Sequence, residues 1–247
     1  MAQFAVIIPA AGAGKRFGGD VKKPFAQIDS RPIFIRSIEL FINRPDVVQT
    51  ILAVAPDDYD VVKEKYAANL MFMNIKLVRG GEERYQSVRA ALEIVADEAD
   101  FVAVHDAVRP CLLESWIDKV FDEATKSGAA ILAAPLSGTI KRVAASGVID
   151  ETVSRQGLFE AQTPQVFRKD LIRAAYQKLP ADLRPTDDAE VVERSGHGVT
   201  VVAADRRNIK ITTPGDMSLA AAILKEFSSA KKARGAAPMG PFGEAQW

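Results

Sequence analysis

The chain is poor in the residues that most often announce a metal centre or a disulfide frame. Of 247 residues, one is cysteine (Cys111) and two are histidine. A lone cysteine excludes an intrachain disulfide, and no Cys/His cluster has zinc spacing. Neither sign of charge is in excess, with 32 Lys plus Arg against 32 Asp plus Glu. That balance disfavours nucleic acid or an anionic membrane held by bulk charge, so any electropositive site must be local. No apolar run approaches the roughly 20 residues needed to span a bilayer. The short apolar run after Met1 leads straight into a glycine-rich segment, unlike a signal peptide. The expectation is a soluble cytoplasmic protein. At 48% apolar residues the chain can build a substantial core.

What is present is an alternation of strand-like and helix-like segments. Phe4 to Ile8 reads as a buried strand, and Pro32 to Asn43 as a helix with Phe34, Ile38, Phe41 and Ile42 on one face. Strands are expected at Thr50 to Val54, Asn74 to Val78, Phe101 to Val104 and Ala129 to Ala134. Helices are expected between them at Asp57 to Asn69, Arg84 to Ala96 and Glu114 to Lys126. This rhythm predicts an α/β fold, a Rossmann-like three-layer sandwich with a mostly parallel sheet. Ligands in such sheets bind beyond the carboxyl ends of the strands, so the loops at 9–25, 79–87 and 105–110 should share one crevice. Thr139 to Val143 and Val148 to Ser154 read as a projecting β arm, about 137–157, able to pair with a second subunit. Strand character returns at Val199 to Ala203 and Ile209 to Thr212, and a helix from Gly215 to Phe227 closes a domain of residues 1–227. Residues 228–247 lack periodicity and read as a flexible tail.

The segment "PAAGAGKRFGGDVKKPF", residues 9 to 25, follows the first strand. Glycines there bring backbone N–H groups close to a ligand, because no Cβ blocks the approach. Position 17 is Phe, which breaks the dinucleotide-binding fingerprint and disfavours hydride transfer. Gly14-Lys15 is followed by Arg16 rather than Ser or Thr, which breaks the P-loop pattern. The added charges Lys15, Arg16, Lys22 and Lys23 point to a polyphosphate: guanidinium grips phosphate oxygens in a fixed fork, while ammonium is a movable point charge.

This loop resembles the signature of nucleotidyltransferases. "RGGEERYQSVRAAL", "VHDAVRP", "GTIKRV", "LFEAQTPQVF", "TDDAEVVERSG" and "NIKITTPGDMSLA" follow in order and resemble the blocks of the 2-C-methyl-D-erythritol 4-phosphate cytidylyltransferase family. The resemblance runs from about residue 4 to residue 225. It implies an enzyme that joins CTP to 2-C-methyl-D-erythritol 4-phosphate and releases pyrophosphate. Ribitol 5-phosphate cytidylyltransferases share much of the pattern and are the main competitor. A non-catalytic nucleotide-binding module is the reading from another class.

The resemblance also implies roles for particular residues. Arg16 and Lys23 stabilise the α-phosphate; Lys22 competes for the lysine position, because proline here follows the pair as Pro24. The nucleotide is cradled by Ala10, Ala11, Gly12, Ala13, Gly14 and Lys15, with Gly81 and Ser87 near the cytosine. Asp106 holds Mg²⁺ beside the triphosphate. Arg109 orients Asp106 or the second substrate. Thr139 and Arg155 reach from the β arm into the neighbouring subunit's site to bind the sugar-alcohol phosphate, which makes a homodimer the expected state. Lys210 serves the substrate phosphate or the α-phosphate. The family more often has Asp where this chain has Arg207, and Asp205 is out of register. Asp187 and Asp188 are expected to cap a helix rather than hold a second metal, and His105 to be a packing residue rather than a ligand.

Overall fold

The computed structural model describes residues 1–11 and 22–235. The first strand, β1 (Phe4–Pro9), is buried along its whole length. A short hairpin of β2 (Gln27–Ile28) and β3 (Arg31–Pro32) leads into α1 (Ile33–Glu39). The βα rhythm continues with β4 (Val47–Val54), α2 (Tyr59–Lys65), α3 (Ala67–Phe72), β5 (Ile75–Arg79), α4 (Arg84–Leu92), β6 (Phe101–Val104), α5 (Glu114–Ser127) and β7 (Ala129–Pro135). The arm is an antiparallel pair, β8 (Ile140–Val143) and β9 (Ile149–Val153), separate from the main sheet. Then come β10 (Phe159–Arg168), α6 (Lys169–Gln177), α7 (Asp188–Arg194), β11 (Thr200–Ala203) and α8 (Pro214–Gly235).

Seven strands form the central sheet in the order β11-β7-β10-β6-β1-β4-β5. All neighbours pair in parallel except β10, which is antiparallel to both β6 and β7. Alternation along β1 shows why the fold has three layers. Phe4, Val6 and Ile8 join a core with Phe34, Ile38 and Phe41 of α1 and Ile117 and Val120 of α5. Ala5 and Ile7 face the opposite core, with Val88 and Leu92 of α4, Ile172 of α6 and Val192 of α7. A third cluster, including Ile33, Val108, Cys111, Ile211 and Ile223, docks α8 and the 209–212 segment beside α1. Burial pushes the Cys111 thiol up to about 12, so it stays a packed thiol rather than a nucleophile.

Two glycines have specific tasks. Gly128, at φ 84°, ends α5 in the left-handed conformation and donates its N–H to Ala124 O. Gly80 lies so close to α4 that a Cβ would sit 2.3 Å from Ser87 Oγ and 3.0 Å from the Val54 carbonyl.

Four segments differ from expectation. The helix expected over 57–69 breaks at Tyr66, whose ring packs edge-on against Phe34 at 4.9 Å. Strand β10 was hidden by Pro164 and by its polar residues; its ladder to β7 shifts register between Ala161 and Gln165, which accommodates the proline within a central strand. The 209–212 segment is not a strand: Ile211 donates its N–H to Val108 O, itself in a loop, and its side chain fills the third core. Helix α8 extends through residues 228–235, expected in the tail, because the Ala- and Lys-rich sequence continues its helix-forming character. Residues 236–247 lie outside the described residues.

Candidate active site

Strand β6 ends in the interior, and the chain leaves it as His105-Asp106. The Asp106 N–H donates to Thr163 Oγ1 at 3.0 Å. That hydroxyl lies 3.1 Å from His105 Nδ1, and His105 Nε2 lies 3.0 Å from the Arg109 carbonyl. A carbonyl can only accept, so Nε2 carries the proton and Nδ1 accepts from the Thr163 hydroxyl. Burial pushes the His105 pKa down to about 4, against the pull of the nearby Asp106 charge, which keeps the ring neutral. His105 is therefore the packing residue expected from the sequence, with the added task of fixing the backbone around Asp106.

Three cations converge on the Asp106 carboxylate. Arg84 Nε is 2.8 Å from Oδ1, Lys210 Nζ is 2.8 Å from Oδ2, and Arg109 Nε is 3.5 Å from Oδ2. Burial alone would raise the Asp106 pKa, but Arg84, Lys210 and Arg109 together hold it well below the usual carboxylate range. Arg109 is itself buried and donates from Nη1 to the Asn208 carbonyl at 2.7 Å. Asn208 is fully buried and donates to Gln162 Oε1 and Thr163 O, which tethers the Lys210 loop to β10. Arg207 turns the other way, onto Asp205 and Glu226.

Arg84, Asp106 and Lys210 line a cleft of about 890 Å³ at the strand ends. Its walls are Pro9, Ala10 and Ala11 after β1, Ala55 to Asp57 after β4, Glu82 to Arg84 before α4, and Asp106 and Val108 after β6. Lys22, Lys23 and Pro24 close one side, Lys210 and Thr212 the other. The described residues of the three loops expected to share a crevice, 9–11 with 22–24, 82–84, and 106 with 108, do line one cleft. Pro24 is buried in a short turn, and Phe25 packs edge-on against Phe34 at 5.6 Å, which anchors the lysine pair at the rim. Lys22 Nζ is held on Asp58 at 2.7 Å. A second cleft, about 580 Å³, lies between α4 and α6. Its arginines Arg89 and Arg173 donate to the Tyr176, Leu92 and Val95 carbonyls and so staple the two helices together.

The profile of 2-C-methyl-D-erythritol 4-phosphate cytidylyltransferases matches residues 4–226. The chain belongs to this family. It is 44% identical over 239 residues to the 2-C-methyl-D-erythritol 4-phosphate cytidylyltransferase of Rhodopirellula baltica, covering 92% of this chain and 97% of that one. The Geobacter metallireducens protein of the same name is 40% identical over 231 residues, with 92% and 99% covered. The crystal structure of 4-diphosphocytidyl-2C-methyl-D-erythritol synthase from Anaerococcus prevotii aligns with a TM-score of 0.76 at 29% identity, over 91% of this chain and 96% of that one.

In this family member Ala10, Ala11, Lys23, Asp106 and Lys210 line one cleft. Gly12, Ala13, Gly14, Lys15 and Arg16 lie outside the described residues. Gly81 stands behind the cleft wall, its N–H donated to Ser87 Oγ at 3.1 Å. Ser87 is fully buried, and its hydroxyl also donates to the Glu83 carbonyl at 3.4 Å, so its hydrogen bonds support the 80–83 turn. Thr139 and Arg155 are exposed on the arm and do not line this chain's cleft; Arg155 donates to the Ser137 carbonyl. Asp187 caps α7, accepting from the Glu190 N–H at 2.9 Å, as expected. Asp188 does not share that role: it is fully buried and pairs with Arg84. Arg84 itself escaped the sequence reading. Its only signal was a charged residue at the start of a helix that follows a strand-end loop.

The histidine carries a stability prediction. In the unfolded chain His105 titrates near 6.5, but in the fold near 4. Between these values the unfolded state binds more protons, so stability falls as pH drops through that window. The loss amounts to about 3 kcal/mol. Below the window Asp106, lowered in the fold from 3.8, adds its own loss. Urea denaturation at pH 7 and pH 4.5 should show the decline, and His105→Gln should flatten it; an unchanged slope in that variant would assign the titration elsewhere.

Proposed function

We propose that the chain catalyses transfer of the cytidylyl group from CTP to 2-C-methyl-D-erythritol 4-phosphate, in the supply of isoprenoid precursors. The observation that carries this reading, beside family membership, is a strand-end cleft lined by Lys23, Arg84, Asp106 and Lys210, with Arg84, Arg109 and Lys210 all on the Asp106 carboxylate. A phosphate oxygen of the acceptor attacks the α-phosphorus of CTP, and the bond to the bridging oxygen breaks to release pyrophosphate. The acceptor phosphate, with a second pKa of ~6, is already largely ionised at neutral pH, so no general base is required. The work left to the protein is positioning and charge neutralisation.

We assign that work as follows. Lys23 and Arg16 neutralise charge on the α-phosphate, and Lys210 serves the acceptor phosphate or the α-phosphate. The 10–15 loop cradles the nucleotide, while the 80–87 turn shapes the cytosine pocket around Gly81 and Ser87. Asp106 fits a magnesium ion, because Oδ2 is already matched by a cation, Lys210, on an exposed side chain that can exchange places. Among the described residues no group of three ligands exists, so Asp106 would be joined by phosphate oxygens and water. Bound there, Mg²⁺ supplies further neutralisation of the triphosphate.

The arm points to a homodimer. Val143, Val148, Ile149 and Phe159 are exposed apolar residues on or beside it, and Thr139 and Arg155 would complete the partner's site from there. Arg109 acts from below, through Asp106. With no membrane-length apolar helix among the described residues and with phosphorylated substrates, we place the enzyme in the cytoplasm.

Pyrophosphate release from CTP with each acceptor offered separately tests the assignment. Turnover with methylerythritol phosphate is expected; turnover with ribitol 5-phosphate alone would move the enzyme to the sibling activity, and none with either would leave a binding module. Lys23→Ala should lower kcat by about 100-fold or more with unchanged melting temperature. Lys22→Ala should matter far less, since aligning the aromatic Phe25 with the family's motif puts Lys23, not Lys22, at the catalytic lysine position; the reverse order would exchange their roles. Light scattering should give twice the chain mass. Mixing inactive Arg155→Ala with inactive Lys23→Ala should restore part of the activity, because a mixed dimer holds one intact composite site. Failure of mixed dimers to recover would confine each site to one chain.

A further inference from the structure

Arg84 opens α4 and divides its guanidinium between two carboxylates. Nε reaches Asp106 Oδ1 at 2.8 Å, and Nη2 reaches Asp188 Oδ2 at 2.7 Å. Asp106 faces the cleft, whereas Asp188 lies in α7, has no exposed surface and does not line the cleft. Asp188 is fixed on several sides. Its Oδ1 accepts from the Tyr176 hydroxyl at 2.6 Å, and its N–H donates to Gln165 Oε1 at 3.0 Å. Gln165 also accepts from the Ala189 N–H and donates to Asp187 Oδ2. The Arg84–Asp188 contact is a charge pair without hydrogen-bond alignment.

A fully buried carboxylate is a poor source of stability, since its desolvation offsets most of what its partner returns. Its effect on direction is larger. A guanidinium left alone with one carboxylate grips both oxygens in a fork. Applied to Asp106, that fork would compete with Lys210 and the cleft for Oδ2. Asp188 holds the Nη2 end of Arg84 elsewhere and leaves only Nε for Asp106.

We propose that Asp188, braced by Tyr176 and Gln165, is a positioning residue that turns Arg84 edge-on to Asp106 and thereby leaves Asp106 Oδ2 to Lys210, which lines the cleft. This deepens the proposed function and rests on it. Without the clamp, Arg84 takes both Asp106 oxygens, and Lys210 loses the partner that holds it at the cleft, where it serves the reacting phosphates. The defect should therefore appear in kcat more than in the KM for CTP.

The test is a cycle of Asp188→Asn and Arg84→Gln. Asp188→Asn keeps the shape and the bond from Tyr176, and should lower kcat about tenfold with little change in KM or melting temperature. Arg84→Gln should lower kcat and also stability, because it strands the buried Asp188 charge. The double variant should regain stability yet keep the kcat of Arg84→Gln alone, since a clamp without its arginine has nothing to hold. A crystal structure of Asp188→Asn should show Arg84 on both Asp106 oxygens with Lys210 displaced. Unchanged kcat in Asp188→Asn, an equal loss in the Arg84→Gln background, or an unmoved Arg84 would each overturn the proposal. Absence of turnover in the wild type would instead defeat the functional reading, and the Arg84 position in the variant structure would still decide the clamp.

Discussion

One carboxylate at the end of a buried strand organises this molecule. Asp106 is nearly inaccessible yet ionised, which its burial alone forbids and its three cations permit. Each cation comes from a different stretch of chain: Arg84 from the start of α4, Arg109 from the loop after β6, and Lys210 from the loop before α8. The loops that build the cleft are thus tied to one another through a single charge. Around it the hydrogen bonds from Thr163, neutral His105 and Asn208 keep the backbone from yielding to those attractions.

The fold positions these loops for a simple reason. Parallel strands all end on one side, so β1, β4, β5 and β6 deliver their carboxyl-terminal loops to one place. Strand β10 runs the other way between β6 and β7, and its register shift between Ala161 and Gln165 lies beside the end of β6. The antiparallel insertion therefore contributes Gln162, Thr163 and Gln165 beneath the site, where a parallel strand would have delivered its opposite end. Two of these side chains hold the Asp106 backbone and the Lys210 loop; the third braces Asp188.

Among the described residues, positive charge around Asp106 is partly balanced. Asp106 and Asp188 offset part of Arg84, Arg109 and Lys210, which keeps the free site from repelling itself. Arriving phosphates can then recruit the exposed Lys210 and leave the buried arginines in place. Such a site is preorganised where it is buried and adjustable only at its rim.

The layers, the strand-end crevice and the phosphate-binding character of the lysines near residue 23 were legible in the sequence, because hydrophobic period and loop chemistry are local properties written within a few residues; Ala10, Ala11, Asp106 and Lys210 were named through the resemblance of their motifs to the family. The ordered run of motifs carried the family for the same reason. Pro164 concealed β10, and isoleucines at 209 and 211 imitated a strand, because a proline at a register shift and an apolar plug are defined only by what lies beside them. Arg84 and Asp188 looked like ordinary helix-start charges. Only the fold decided that they meet, since an ion pair depends on distance through space, and distance between residues far apart in the chain exists only once the chain has folded.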